Sequence, residues 1–464
     1  MADTQPNVLL IHCHDIGQHL GCYGVDIETP NLDSLAKEGA LLENHYVSAP
    51  QCSPSRGSLM TGQMPHVNGL MGLAHGEWEI ESGRQVMPQY FNEEGYETHL
   101  FGLQHIAQDT DRLEYEYVHS EGNLYPGVSP EVHQVNRART VASVVSTFLE
   151  KELYEKPFFA SIGFFEAHRA EEENGRFGFE SDFYGCDDPE EVQPLPYLPD
   201  RQGIRRDLAA MRRMLYAIDD AVGTILEGLE ENGIAEETVV IFTTEHGIAF
   251  PRAKGSCYDP GIEAAFLVRY PGIVEPDERY DELISNVDVL PTLLELIGSD
   301  IPDDLGGRSF HSLVASGETD DEDEAQAGNN DYEERERLFA EITWHDMYNP
   351  VRAIRTQRYK YIRNFWHLPK VYLTADIFSS LAGREVREEY ATPLRAYEEL
   401  YNLENDPQEG QNLIYEPQYE DVRLRLASRL REWMEETDDP LLDGPVAPGD
   451  YDEMISWPEQ DESG

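Results

Sequence analysis

Short apolar runs alternate along this chain with longer amphipathic segments, and that alternation restricts the fold more than any other feature. "NVLLIHC" precedes "TPNLDSLAKEGALLE", where Thr29 is placed to cap, Pro30 suits a first helical turn, and Leu32, Leu35 and Ala36 share one face. "ETHLFG", "PFFASIGFF", "TVVIFTT" and "AAFLVRYP" are further strand-like runs. "ARTVASVVSTFLEKEL", "RDLAAMRRMLYAIDDAVGTILEGLEENG" and "VDVLPTLLELIG" carry helical periodicity, the last two with a glycine stop. Strands without polar alternation are buried on both faces. The pattern therefore predicts an α/β fold, a mostly parallel sheet sandwiched by helices.

At 464 residues the chain exceeds one ordinary core. An acid-rich polar stretch over 315–337 reads as a linker or surface loop, and beyond it the grammar changes. "VRAIRTQRYKYIRNF" alternates like a half-exposed strand, "EELYNLENDP" reads as strand and turn, and "VRLRLASRLREWMEET" as a helix. The expected organisation is a larger α/β domain over 1–314, the linker, a smaller α+β subdomain over 338–437 and an acidic tail over 438–464.

Charge narrows the partners. Lys and Arg total 35 against 90 Asp and Glu, a formal net charge of -55 spread along the whole length. Such an excess is tolerable where screening is strong, with a Debye length of about 3 Å in molar salt, so a salt-loaded cytoplasm is the expected medium. No basic stripe exists to neutralise phosphates, which excludes nucleic acid. "MADTQPNVLLIHCHD" lacks a positive leader and its apolar run is too short to span a membrane, so cytoplasmic location without membrane attachment is expected. Five scattered cysteines with no CxxC pair argue against a disulfide framework and a structural zinc site. Cys13, Cys22, Cys186 and Cys257 read as small buried or semi-buried thiols; Cys52, in "QCSPSRGSLMTG", stands apart.

In open α/β sheets ligands bind beyond the carboxyl ends of the strands. Here "NVLLIHC" delivers His14 and Asp15, "ETHLFG" delivers His105, "PFFASIGFF" delivers Glu166 and His168, and "TVVIFTT" delivers Glu245 and His246. A lone histidine in such a place is more often a satisfied core residue. Four strand ends each supplying an imidazole, three with a carboxylate close by, point instead to convergence on one cation.

"CSPSR" followed by "LMTG" resembles the C-x-P-x-R signature of type I sulfatases in the alkaline phosphatase superfamily. The likeness continues through "TPNLDSLAKEG", "FEAHRA", "TTEHGIAFPRAKGSCYDPGI", "NVDVLPTLLELIG" and "VRAIRTQRYKYIRNF", most of the chain. "LMGLAH" and "ETDDPLL" are most similar to the branch containing N-sulfoglucosamine sulfohydrolase.

The resemblance implies hydrolysis of a small sulfated substrate, ester or N-sulfamate. It implies that a maturation enzyme reading Pro54 and Arg56 oxidises Cys52 to formylglycine (3-oxoalanine). The hydrated aldehyde then attacks sulfur with one hydroxyl and expels sulfate through the other. It further implies one divalent metal ion, held by Asp15, Glu245 and His246 with His14 and residue 52. Arg56 would orient the diol, His105 would take the proton of the second hydroxyl, and His168 and Lys254 would contact sulfate.

The chain departs from the family pattern in two places. The family commonly has paired aspartates where His14-Asp15 stands and Asp with Asn or His where Glu245-His246 stands. Added imidazole moves the site from the calcium usual in the family towards manganese or zinc. In "GLQH" Leu103 replaces the family's lysine, leaving Gln104 or Arg169 to compensate. A third region, "EITWHDMYNPVRAIR", is expected to overhang the site, with His345 and Arg352 selecting the rest of the substrate. The metal-site change keeps a phosphonate or phosphoester hydrolase of the superfamily open as an alternative. The missing lysine keeps open a noncatalytic binding protein.

Overall fold

The computed structural model describes residues 5–76, 78–119, 136–150, 156–172, 175–315 and 332–448; most of the acidic linker and the last part of the tail lie outside the described residues. Eight strands form the main sheet: β1 (Asn7–Cys13), β2 (Ala40–Leu42), β3 (Glu97–Gly102), β4 (Tyr117–Val118), β5 (Phe158–Gly163), β6 (Thr238–Thr244), β7 (Phe266–Arg269) and β8 (Glu278–Tyr280). Their order is β8-β2-β7-β6-β1-β5-β3-β4. The central β6, β1, β5 and β3 run parallel, with Val8 opposite both Phe159 and Val239; β7 runs against β6 and β2.

Every residue of β1 is buried because both faces of the sheet are covered. One face packs on the helices Pro30–Glu38, Ala138–Leu149 and Gln202–Glu231, the other on Cys52–Thr61, Met87–Glu93 and Val289–Leu296. Leu32, Leu35 and Ala36 do form the buried stripe of the first helix. Its cap differs from expectation. The Thr29 hydroxyl accepts from Gly21 N–H and donates to Asp33 instead of capping. The free N–H groups of Asn31 and Leu32 are taken by the Asp219 carboxylate of the long helix at 3.2 and 2.8 Å. A tertiary contact thus supplies the acceptor that a local hydroxyl usually provides.

A second sheet is antiparallel, β9 (Arg337–Trp344), β10 (Tyr348–Thr356), β11 (Tyr359–Asn364) and β12 (Glu398–Asn402) in sequential order. The helix Glu420–Glu436 covers it through Leu426, Leu430, Trp433 and Met434. Its β9–β10 turn and the short helix Ala375–Ser379 reach back to the carboxyl edge of the main sheet.

Backbone approach sets the spacing of that edge. Gly102, at φ +70°, and Gly163 end β3 and β5, and a Cβ on either would come within 2.0 Å of the facing carbonyl oxygen. Glycine is therefore required at both ends. The residues that turn the chain away also leave ordinary strand geometry: Asp15 (φ 45°), His105 (φ 55°) and Ala167 (φ 69°) follow three neighbouring strands. Such left-handed non-glycine residues cluster where packing over-determines the backbone.

Candidate active site

The helix Cys52–Thr61 is polar in sequence yet buried at every position. Several of its polar groups are bonded by the segments packed around it. Ser55 donates to the Glu245 carbonyl, Ser53 accepts from Ala74 N–H at 3.0 Å, and Asn286 donates to the Ser55 carbonyl at 2.9 Å. Arg56 pairs with Glu245 and donates to the His12 carbonyl at 3.3 Å. Pro54 occupies the first turn, where an absent N–H costs nothing. Cys52 is thereby held at the helix start, against the ends of β1 and β6.

Around it the strand-end residues converge. His14 Nδ1 lies 2.6 Å from Glu245 Oε1; His246 Nε2 lies 3.2 Å from Glu245 Oε1, 3.4 Å from Asp15 Oδ1 and 3.5 Å from Cys52 Sγ. Ligand atoms of His14, Asp15, Cys52 and Glu245 all fall within 4.8 Å of one another. His14 Nε2 and Asp15 Oδ1 are buried without a hydrogen-bonding partner. Two buried carboxylates with mixed N and O donors and unsatisfied lone pairs are what a divalent cation requires, so the residues present fit one.

Ionisation follows the packing. Burial pushes the Cys52 thiol well up, aided by the Glu245 and Asp15 charges. Burial lowers His14 and His105. It also brings His168 down to about 3, with Lys254 adding to the effect. Burial works against the Glu245 charge too, but His14, Arg56 and His246 outweigh it and hold that carboxyl well below its ordinary range. Lys254 stays charged because Asp15 and Asp376, at 3.0 and 3.2 Å from Nζ, overcome its own desolvation. The site thus holds cations at Arg56 and Lys254, the Glu245 carboxylate at its floor, and imidazoles that burial keeps neutral at His14, His105 and His168.

His105 and His168 flank His14 with ring centroids 5.7 and 5.6 Å away, and His168 Nε2 lies 3.5 Å from Lys254 Nζ. Glu166, although delivered by the same loop as His168, turns away. It caps the helix Ala138–Leu149 through Ala138 N–H and accepts from Tyr184 at 2.6 Å. His345 does overhang the edge, hydrogen-bonded to Asp346 at 3.0 Å and within electrostatic reach of His75 and Asp376.

Other expectations need correction. Arg352 is fully buried, donating to Asp439 at 2.5 and 3.0 Å and to the Ile342 carbonyl at 2.9 Å, so it faces no substrate. It neutralises a second group of ligating side chains, His66, Glu341 and Asp439. Gln104 is turned back into its own loop, bonded to Ile106 N–H and the Ala107 carbonyl at 2.6 Å each. Arg169 is committed to Asp207 at 2.8 Å and to the Phe179 ring. Neither replaces the cation absent at Leu103.

Two residues were missed by the sequence reading. His75 shares a 3.1 Å hydrogen bond with His105 and stacks on its ring at an 11° interplanar angle, from a solvent-facing turn. Its signal lay inside "LMGLAH", where the likeness to the N-sulfoglucosamine sulfohydrolase branch marks the segment without singling out its histidine. Asp376 lies far along the chain in "TADIF", where no motif marks it.

The model of the Sulfatase family matches residues 6–299, the greater part of the chain. The chain belongs to the sulfatase family. A second model, N-sulphoglucosamine sulphohydrolase, C-terminal, matches residues 245–379. This sulfatase is 28% identical to the N-sulphoglucosamine sulphohydrolase of Homo sapiens, over 95% of this chain and 92% of that one. It is 26% identical to an ulvan-active sulfatase of Formosa agariphila, over 93% of this chain and 75% of that one. A solved structure in complex with its substrate D-glucosamine-2-N,6-O-disulfate superposes with a TM-score of 0.69 at 18% identity, covering 94% and 99% of the two chains. The phosphonate monoester hydrolase of Agrobacterium radiobacter also superposes at 0.69, with 19% identity and 93% and 96% coverage. The mostly parallel sheet with its smaller antiparallel neighbour is the fold these structures share.

Proposed function

We propose that this sulfatase hydrolyses a sulfate ester or N-sulfamate of a saccharide, with a formylglycine made from Cys52 as nucleophile. The observation that carries the reading is the position of Cys52. A thiol whose pKa is pushed up by burial is a poor nucleophile, yet it faces the convergent His14, Asp15, Glu245 and His246. Conversion to a hydrated aldehyde resolves the conflict by supplying one hydroxyl to attack sulfur and a second whose deprotonation expels sulfate.

The metal would be held by Asp15, Glu245 and His246, with His14 and residue 52. When bound, it would lower the pKa of the attacking hydroxyl and polarise a sulfate oxygen. The other roles belong to the chain itself. Arg56, pinned by Glu245, orients residue 52 and balances the carboxylates. His105, neutral through burial, accepts the second hydroxyl's proton. Lys254 neutralises the sulfate oxygens, and His168 beside it contacts the same anion as a neutral imidazole. The two sheets divide the work: the region up to 314 supplies nucleophile and metal ligands, while 338–437 supplies His345 at the leaving-group side. The similarity to enzymes named for N-sulfoglucosamine and for ulvan supports a saccharide substrate. The acid excess supports a working medium of concentrated salt inside the cell.

The test is the mass of the residue-52 peptide from protein made in its native host, combined with turnover of matched aryl sulfate, aryl phosphate and phosphonate esters. Formylglycine with aryl sulfate turnover is expected. An unconverted thiol throughout, or turnover of phosphonate without sulfate, overturns the reading.

A further inference from the structure

The anion-facing part of the site carries more negative charge than sulfate binding alone calls for. Asp376, buried at the end of a segment from the second sheet, accepts a hydrogen bond from Lys254 through Oδ2, while its other oxygen accepts the Thr374 hydroxyl. Asp346 holds that segment in place by accepting Ala375 N–H at 2.6 Å. Asp15, His168 and Asp376 offer atoms within 4.8 Å of one another, and Lys254 Nζ contacts all three. One ammonium is therefore shared between two carboxylates.

Asp376 remains ionised. Burial opposes its charge, but Lys254, aided by the hydrogen bond from Thr374, holds it well below the ordinary carboxylate range. Arg56 and Lys254 then face Asp15, Glu245 and Asp376, which leaves one negative charge in excess, and a resident divalent cation turns this into one positive charge. A sulfate monoester or sulfamate brings one negative charge and reaches neutrality. A phosphate monoester, whose second pKa is about 6, brings nearly two at neutral pH and leaves a buried charge unmatched.

We propose that Asp376 is a specificity-determining residue, which matches the pocket to monoanionic sulfur esters and against phosphoryl dianions by neutralising half of the Lys254 partnership. The inference rests on the sulfate-hydrolase reading above and adds the charge state of the substrate class.

The probes are methanesulfonate and methylphosphonate, tetrahedral anions of nearly equal shape that differ by one charge above the second pKa of the phosphonate. Their dissociation constants are measured by calorimetry on metal-loaded protein. A unit charge about 6 Å away at an effective dielectric of about 20 changes affinity by roughly a hundredfold, which molar salt reduces to about tenfold. Asp376→Asn is therefore expected to shift the affinity ratio about tenfold or more towards methylphosphonate dianion, and Asp376→Glu to keep the wild-type ratio. An Asp376→Asn protein that melts like wild type with an unchanged ratio overturns the proposal. If that variant does not fold, the wild-type protein decides: methylphosphonate must bind more weakly as it passes from monoanion to dianion while methanesulfonate stays level, and a rise overturns it. Failure of the wild type to hydrolyse aryl sulfate strikes the earlier reading and leaves this binding ratio to be judged separately.

Discussion

Replacing Arg352 by methionine separates a structural arginine from a substrate-binding one. The guanidinium is fully buried, 2.5 and 3.0 Å from the two Asp439 oxygens and 3.5 Å from Glu341. At such distances and an effective dielectric of about 20, one pair is worth about 5 kcal/mol, and removing one partner of a buried pair typically costs about 3–5 kcal/mol. The loss arises because Asp439 and Glu341 would be left facing each other beside His66 with no cation. Methionine nearly fills the volume, so packing loss adds little. The assay is urea unfolding in molar salt together with steady-state kinetics on an aryl sulfate. The expected result is destabilisation by about 3–5 kcal/mol, with KM per folded molecule changed by less than about twofold. A variant within about 1 kcal/mol of wild type whose KM rises about tenfold would refute the structural assignment. Arg352→Met with Asp439→Leu should recover part of the loss, since the orphaned carboxylate disappears with its partner.

Four further outcomes follow from the same packing. In protein made without a maturation enzyme, Cys52 should resist iodoacetamide at mildly alkaline pH while exposed Cys186 reacts, because burial keeps the Cys52 thiol protonated; peptide masses that show equal labelling would contradict this. Glu166 is raised from 4.5 to about 7 by burial, against the opposing hydrogen bonds from Tyr184 and Ala138. A carboxyl with a raised folded-state pKa contributes fully below pH 4.5 and loses that contribution as pH rises through 7, so Glu166→Gln should gain on wild type by about 3 kcal/mol between these limits. Melting curves whose difference is flat with pH would deny it. After chelation, manganese or zinc should raise the melting temperature more than calcium, and His14→Asp should shift the preference towards calcium, because imidazole suits the softer ions; a larger calcium effect in wild type would count against the ligand set. With a net charge of -55, the melting temperature should fall as salt drops from molar to dilute, and an unchanged value would remove the salt-adaptation reading.

Much of the site could be located from local pattern, for a physical reason. Parallel strands bring their carboxyl ends to one edge, so a residue one or two places after a recognisable apolar run is placed in space by counting along the chain. His14, Asp15, His105, His168, Glu245 and His246 follow such runs, and the fold brings them to one edge. The same rule misplaced Glu166, whose carboxylate is drawn off to the N–H groups of a helix start. Gln104, expected to compensate for Leu103, and Arg352, expected to overhang the site, both spend their hydrogen bonds within the protein.

The chain's local order was enough to set strand, helix and edge, because hydrophobic periodicity acts over a few residues and needs no partner to be read. Partnership was left to the tertiary structure. Asp219 caps a helix far from it in sequence, Asp439 takes Arg352, and Asp376 crosses from one sheet to the other to share Lys254. A buried charge finds its energy minimum only against a specific neighbour, and which neighbour that is depends on how distant segments pack.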